Sequence, residues 1–149
     1  MNLLTKDLSN VDISRPLLEK GLTRFEVAEV KVEKSKDGLK DLLVFTFKTV
    51  FKAKSRPNKD GVVTDINPGF TIIDRLTITT SEKRDESLIE KDLSQRQVEI
   101  LGVQKREGFL PLEQYLHKHV DALVDIEVDK EGKYGDQNRL RKIQPASRL

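Results

Sequence analysis

The stretch that most constrains the fold is Leu42-Leu43-Val44-Phe45-Thr46-Phe47-Lys48-Thr49-Val50-Phe51-Lys52-Ala53. Leu43, Phe45, Phe47, Phe51 and Ala53 share one parity; Leu42, Val44, Thr46, Lys48, Val50 and Lys52 share the other. A period of two, carried by β-branched and aromatic residues, belongs to a strand. One face is apolar along its length, and the other begins apolar and turns basic. Half of the six Phe residues lie here, so the core is expected to build against this strand. Parity groups Phe51 with Phe45 and Phe47 in that core; it turns outward only if the strand twists away from the body. The strand then runs into Lys52, Lys54, Arg56 and Lys59, with no acid until Asp60.

Other strands can be placed around this one. Thr23 to Lys34 reads as a first strand. Phe25 and Val27 share a parity that Val30 and Val32 do not, and an extra residue near Ala28-Glu29 would restore the phase as a β-bulge. Ser35-Lys36-Asp37-Gly38 has the chemistry of a hairpin turn, so the first two strands are expected to pair antiparallel. Lys54 to Gly69 holds Pro57, Asn58, Gly61, Asn67, Pro68 and Gly69 and reads as a long loop, with a brief strand at Val62-Val63. Phe70 to Thr80 is a third strand with Phe70, Ile72, Leu76 and Ile78 on one side. Asp74 interrupts that stripe, and Ile73 leaves the register open.

Ser87-Leu88-Ile89-Glu90 fits a capping box at the start of a helix over Leu88–Leu101. Ile89, Leu93 and Ile100 share its inner face, and Gly102 suits its stop. Pro111 can begin a second, short helix with Leu112, Tyr115 and Leu116 packing. Val120, Ala122, Val124, Ile126 and Val128 then alternate with Asp121, Leu123, Asp125, Glu127 and Asp129, the clearest half-buried strand in the chain. A turn at Lys130–Lys133 leads into a last strand around Leu140 and Ile143, ended by Pro145.

The order is strand, strand, strand, helix, strand, strand. It predicts a mainly β protein: a partly open, five-stranded Greek-key barrel of the OB-fold type, with the helix plugging one end. A ferredoxin-like arrangement needs a helix between the first two strands, and Ser35–Asp41 is too short for one. The expected organisation is an N-terminal extension over residues 1–20, one domain over 21–145 and a short tail over 146–149. A chain of 149 residues suits one domain with a real core.

The closing stretch matches a family pattern best: Val120-Asp121-Ala122-Leu123-Val124-Asp125-Ile126-Glu127, then Tyr134-Gly135, Asn138-Arg139 and Lys142-Ile143-Gln144-Pro145. Leu18-Glu19-Lys20-Gly21 before Phe25-Glu26-Val27, the Ser35–Gly38 turn and Phe45-Thr46-Phe47 add to it. With these features the chain resembles a family of small bacteriophage OB-fold proteins of unknown function, related to phage single-stranded-DNA-binding proteins. The resemblance implies a part in phage DNA replication or recombination, in the cytoplasm of a bacterial host, with replication or recombination proteins as possible partners. Many single-strand-binding proteins recruit partners through an acidic tail. This chain ends Pro145-Ala146-Ser147-Arg148-Leu149, so recruitment of that kind is not expected.

OB-folds bind nucleic-acid strands over their second and third strands and the loops after the first and fourth. That chemistry needs cations for phosphates and flat rings for bases. Lys48, Lys52, Lys54, Arg56 and Lys59 form a first candidate set. Lys133, Arg139 and Arg141 form a second at the last hairpin, with Lys130 and Lys142 beside them. The stacking candidates are Tyr134, Phe51 and Phe70. Against this stands the ordinary use of Lys and Arg to solvate and blunt strand edges. Aromatic residues make up only 5% of the chain and its net charge is +2, so a nucleic-acid role must rest on where the charges lie.

Other chemistries find little. The chain has no Cys, which excludes disulfides, thiol catalysis and Cys-bound zinc. His117-Lys118-His119, near Glu113 and Asp121, would need a third ligand from another element to hold a metal, and Asp65–Gly69 lacks the downstream Glu of a calcium loop. No phosphate-binding Gly loop, HExxH motif or GxSxG elbow is present, so neither enzyme activity nor a cofactor is expected. No apolar run is long enough to span a membrane, and Met1–Asp7 lacks the apolar centre of a signal peptide. The reading is a soluble intracellular protein that binds single-stranded DNA with little sequence preference. A protein-docking adaptor and an RNA binder are the alternatives, and self-association is open.

Overall fold

A computed structural model describes residues 16–103, 108–133 and 135–147. Five antiparallel strands form one sheet in the order β5-β2-β1-β6-β7. They are β1 (Gly21–Lys34), β2 (Asp41–Thr49), β5 (Thr71–Thr77), β6 (His119–Glu127) and β7 (Gln137–Pro145). Two short strands, β3 (Ala53–Lys54) and β4 (Asp65–Ile66), make a separate ribbon. One helix, α1 (Glu86–Leu101), lies between β5 and β6 in the chain. The sheet does not close: β5 and β7 are its edges and come together only in part, beside α1.

The expected bulge is present. Pairing of β1 with β2 shifts between Val27 and Glu29, leaving Ala28 as the extra residue. The shift puts Val27 opposite Phe47 and Val30 opposite Phe45, so both valines follow the inward parity of β2. Gly38 takes a φ of 73° in the β1–β2 turn, where the Asp37 carboxylate accepts from Leu39 N–H.

The expected strand Leu42–Ala53 is shorter than its alternation suggests. β2 stops at Thr49, which sits in the inward position, and its hydroxyl accepts from Gly69 and Phe70 N–H at 3.1 and 3.0 Å. The chain bends over the next residues, so parity fails beyond that point. Phe51 is 54% exposed, whereas Phe45 and Phe47 are fully buried. The brief strand expected at Val62-Val63 forms instead at Asp65-Ile66, and both valines are exposed.

Asp74 interrupts the inner stripe of β5 because Arg96 of α1 reaches it at 2.8 Å. Ile72 is buried and Ile73 is exposed, which settles the register. The helix cap is Asp85 rather than Ser87: its carboxylate accepts from Leu88 N–H at 2.9 Å. A carboxylate there also meets the positive end of the helix dipole, an advantage Ser lacks. Gly102 ends the helix in the left-handed conformation at φ 69°, as its position predicted.

Phe25, Val27, Phe45, Phe47, Tyr115, Val120 and Ala122 form the centre of the core, each fully buried. Tyr115 follows a 3-10 turn at Leu112–Gln114, stacks on Phe109 and meets the edge of Phe45. Gln97 of α1 is also buried; its amide donates to Val103 C=O and accepts from Leu110 N–H. It thereby ties the helix to the connector that follows. Val128, expected at the end of the inner row of β6, is 61% exposed because β6 ends at Glu127.

Leu17–Glu19 fall within the stretch expected to precede the domain. They are instead tied into it. Leu18 is 2% exposed; its N–H donates to Asn138 Oδ1 and its C=O accepts from Asn138 Nδ2. Glu19 N–H donates to Lys54 C=O, and Arg56 N–H to Leu17 C=O. This strap joins the β3–β4 ribbon to the start of β7.

Candidate nucleic-acid interface

The strap brings two stretches that are distant in sequence to one end of the sheet. Arg56, two residues beyond β3, reaches Asp136 of the β6–β7 loop at 2.8 Å. The other oxygen of Asp136 accepts from Asp129 N–H. The Arg56 guanidinium holds the Asp136 carboxyl below its ordinary range, helped by that backbone bond. Arg56 is therefore half-buried and fixed, a brace between loops.

Lys52 and Lys54 stand beside a carboxylate that the linear sequence places well downstream. Lys54 pairs directly across from Asp65, with Nζ 2.5 Å from its carboxylate, and Lys52 Nζ lies 3.8 Å from it. The contact raises the Lys54 pKa and lowers that of Asp65. Lys59, in the turn closed by Asn58 and Gly61, has no ion pair among the described residues.

Lys48, on the outer face of β2, meets Glu26 at 3.4 Å. His117 Nδ1 and His119 Nε2 face the same carboxylate at 3.4 and 3.7 Å. The His117 contact is the main reason the Glu26 pKa is lowered, with Lys48 adding to it. The two imidazoles thus turn toward Glu26, and among the described residues no cluster of His, Asp and Glu has the arrangement of a metal site.

The second cation set is also matched. Arg141 meets Asp125 at 2.6 Å, Arg139 meets Glu127, and Lys133 lies 3.6 Å from Glu131. The acidic alternate row of β6 faces the basic row of β7, a cross-strand arrangement that stabilises the edge. Asp125 has a lowered pKa from the Ile126 N–H and from Arg141.

The stacking candidates separate. Phe70 is a correction: at 8% exposure it belongs to the core, below the end of β2. Phe51 is turned to solvent by the bend after Thr49. Tyr134 lies outside the described residues.

Sequence reasoning passed over two cations on the outer sheet face, Lys31 and Arg75, which sit on either side of Val44 across β1, β2 and β5. Their signal was the outward parity of their strands. Lys31 lies 3.3 Å from Glu29 and Arg75 3.5 Å from Glu33, so this face carries mixed rather than uniform charge.

Comparison of the sequence with family models and with curated proteins finds no match to either. The phage-family resemblance therefore rests on its turn and strand patterns alone. Among the described residues no helix is long and apolar enough to cross a membrane.

Proposed function

We propose that this chain is a non-enzymatic OB-fold domain that binds single-stranded DNA with little sequence preference, in the replication or recombination of phage DNA. The OB reading is supported by five antiparallel strands with the helix between the third and fourth long ones. Its missing element is a ladder between β5 and β7. The observation that carries the functional reading is Phe51. A large ring stands 54% exposed in the bend just after β2, directly before Lys52 in the chain, with Lys48 of β2 and Lys54 of β3 near it in sequence. A ring beside ammonium groups is the arrangement that stacks a base and holds its phosphates, and it tolerates any base.

The second reading, a protein-docking surface, is favoured by a different observation. Asp65 offsets one of the two positive charges of Lys52 and Lys54, and Phe51, Val62 and Val63 add exposed apolar side chains to the segments that flank the ribbon.

Titration of the purified protein against labelled single-stranded DNA, duplex DNA and RNA separates the readings. Preference for single strands over duplex supports the first, and the RNA arm fixes the nucleic acid. Phe51→Ala is expected to weaken single-strand binding by roughly 5- to 150-fold, the worth of one stacked base, with an unchanged melting temperature. No binding to any nucleic acid at low salt overturns the proposal in favour of docking.

A further inference from the structure

The two halves of β1 are bonded differently. From Gly21 to Glu26 the strand pairs with β6, and from Phe25 onward it pairs with β2, so that only Phe25 and Glu26 have a ladder on both sides. Val27 completes that side by donating to Lys118 C=O and accepting from His117 N–H. Beyond it, β1 continues to Lys34 with β2 as its only ladder partner. Ser35 N–H donates to Lys40 C=O at 2.9 Å, which sets the phase. Glu29, Lys31 and Glu33 turn their backbone groups to β2, and Val30, Val32 and Lys34 turn theirs away. Among the described residues nothing meets them.

We propose that this edge pairs antiparallel with the same edge of a second copy, about a two-fold axis at Val32. The charge pattern selects both the occupant and the register. Residues whose backbone groups turn outward must face each other. With the axis at Val32, Val30 faces Lys34 of the second copy, and Lys31 faces Glu33 of the second copy on both sides of the axis. An axis at Lys31 would set Lys31 against its own copy and Glu29 against Glu33. An axis at Glu33 would oppose two carboxylates, and one at Val30 would run the second copy into His117 and Lys118. Only the Val32 register is complementary, and it also covers Val32, which is 52% exposed. Opposite charges across strands stabilise pairing and like charges oppose it. An isologous contact of this kind closes after two copies. A short edge buries little area, which places the dimer among weak, concentration-dependent ones.

Sedimentation velocity without nucleic acid, over about 1–500 µM, tests this independently of any DNA binding. The expected result is a monomer–dimer equilibrium across that range. K31E and E33K alone should each weaken it by about 10-fold, since each sets like charges opposite at two symmetric positions. The double variant K31E/E33K restores complementarity and should recover to within about 3-fold. A monomer at every concentration overturns the proposal. So does a dimer that survives both single inversions, or one that the double exchange fails to recover. Melting curves on the same samples separate loss of pairing from loss of fold. Lys31 is exposed and Glu33 half-buried, and the ion pairs they make in their own chain, to Glu29 and Arg75 and to each other, are solvated ones that add little to stability.

Discussion

Two cross-strand acid–base contacts in this molecule use the same chemistry in opposite settings. Arg24 of β1 faces Asp121 of β6, with side chains only 13% and 10% exposed. The guanidinium donates to both carboxylate oxygens at 2.9 and 3.1 Å. Ser147 closes the group: its C=O accepts from Arg24 and its N–H donates to Asp121. Lys54 faces Asp65 across the ribbon, but there the side chains are 57% and 47% exposed. A bidentate, desolvated pair holds two strands and the chain after β7 in place. A solvated Lys–Asp contact adds little to stability and can be exchanged for a phosphate oxygen. The difference teaches which charges belong to the fold and which are free to serve a ligand.

The largest effect that would break this contrast is on stability. Asp121→Ala strands a guanidinium whose surroundings were built for a carboxylate. The expected loss is about 2–3 kcal/mol, or roughly 5–10 °C in melting temperature for a chain of this size. Asp65→Ala should leave the melting temperature nearly unchanged. Equal losses in the two variants, read by thermal denaturation, would remove the distinction.

Acid sharpens the same comparison. The Arg24 contact holds the Asp121 pKa below its ordinary 3.8, with the Ser147 N–H adding to it. A carboxylate with a lowered folded pKa contributes stability that is fully present above its ordinary value. That contribution is lost as pH falls through the lowered one. The protein should therefore lose stability below about pH 4, and Asp121→Asn should flatten that part of the profile at the expense of stability at neutral pH. Asp65 is also lowered, by Lys54, but its exposure makes the Asp65→Asn profile nearly superimposable on the parent. Urea midpoints from pH 2.5 to 7 measure both.

The contrast also marks how far the sequence could be read. Local signals were legible: the bulge at Ala28, Gly38 in the hairpin, Gly102 after the helix and the alternation from Val120 to Val124. Each depends on residues a few positions apart. Asp121 looked like part of the solvated row of β6, because nothing in the linear order shows that Arg24 lies opposite. The run from Lys52 to Lys59 looked free of acids because the return of the chain through Asp65 depends on the ribbon. Phe51 followed core parity on paper and left it because Thr49 ends the strand with its own hydroxyl bonds. Phe70 heads the apolar row expected for the third strand and was also a stacking candidate; it is core, its N–H bonded to the Thr49 hydroxyl at that same end of β2. Nonlocal pairing decided each of these, and periodicity carries no record of it.

The smallest expected effect is the most informative about the site. If Lys52 and Lys54 serve phosphates, Asp65 competes with the ligand for them. Asp65→Asn keeps the shape and a hydrogen-bond acceptor but removes the charge. Single-strand affinity at low salt should then rise by about 2- to 5-fold, the scale of one exposed charge contact. Each ammonium that meets a phosphate contributes a slope near −0.7 to the dependence of log affinity on log salt. The slope should therefore steepen toward that of one further contact, because more phosphate charge is neutralised by the freed lysines. Lys52→Ala with Lys54→Ala in the Asp65→Asn background should erase both gains and flatten the slope below that of the parent. An affinity and slope indifferent to Asp65 would mean that the ribbon charges face only water, and would leave Phe51 as an apolar anchor for a protein partner.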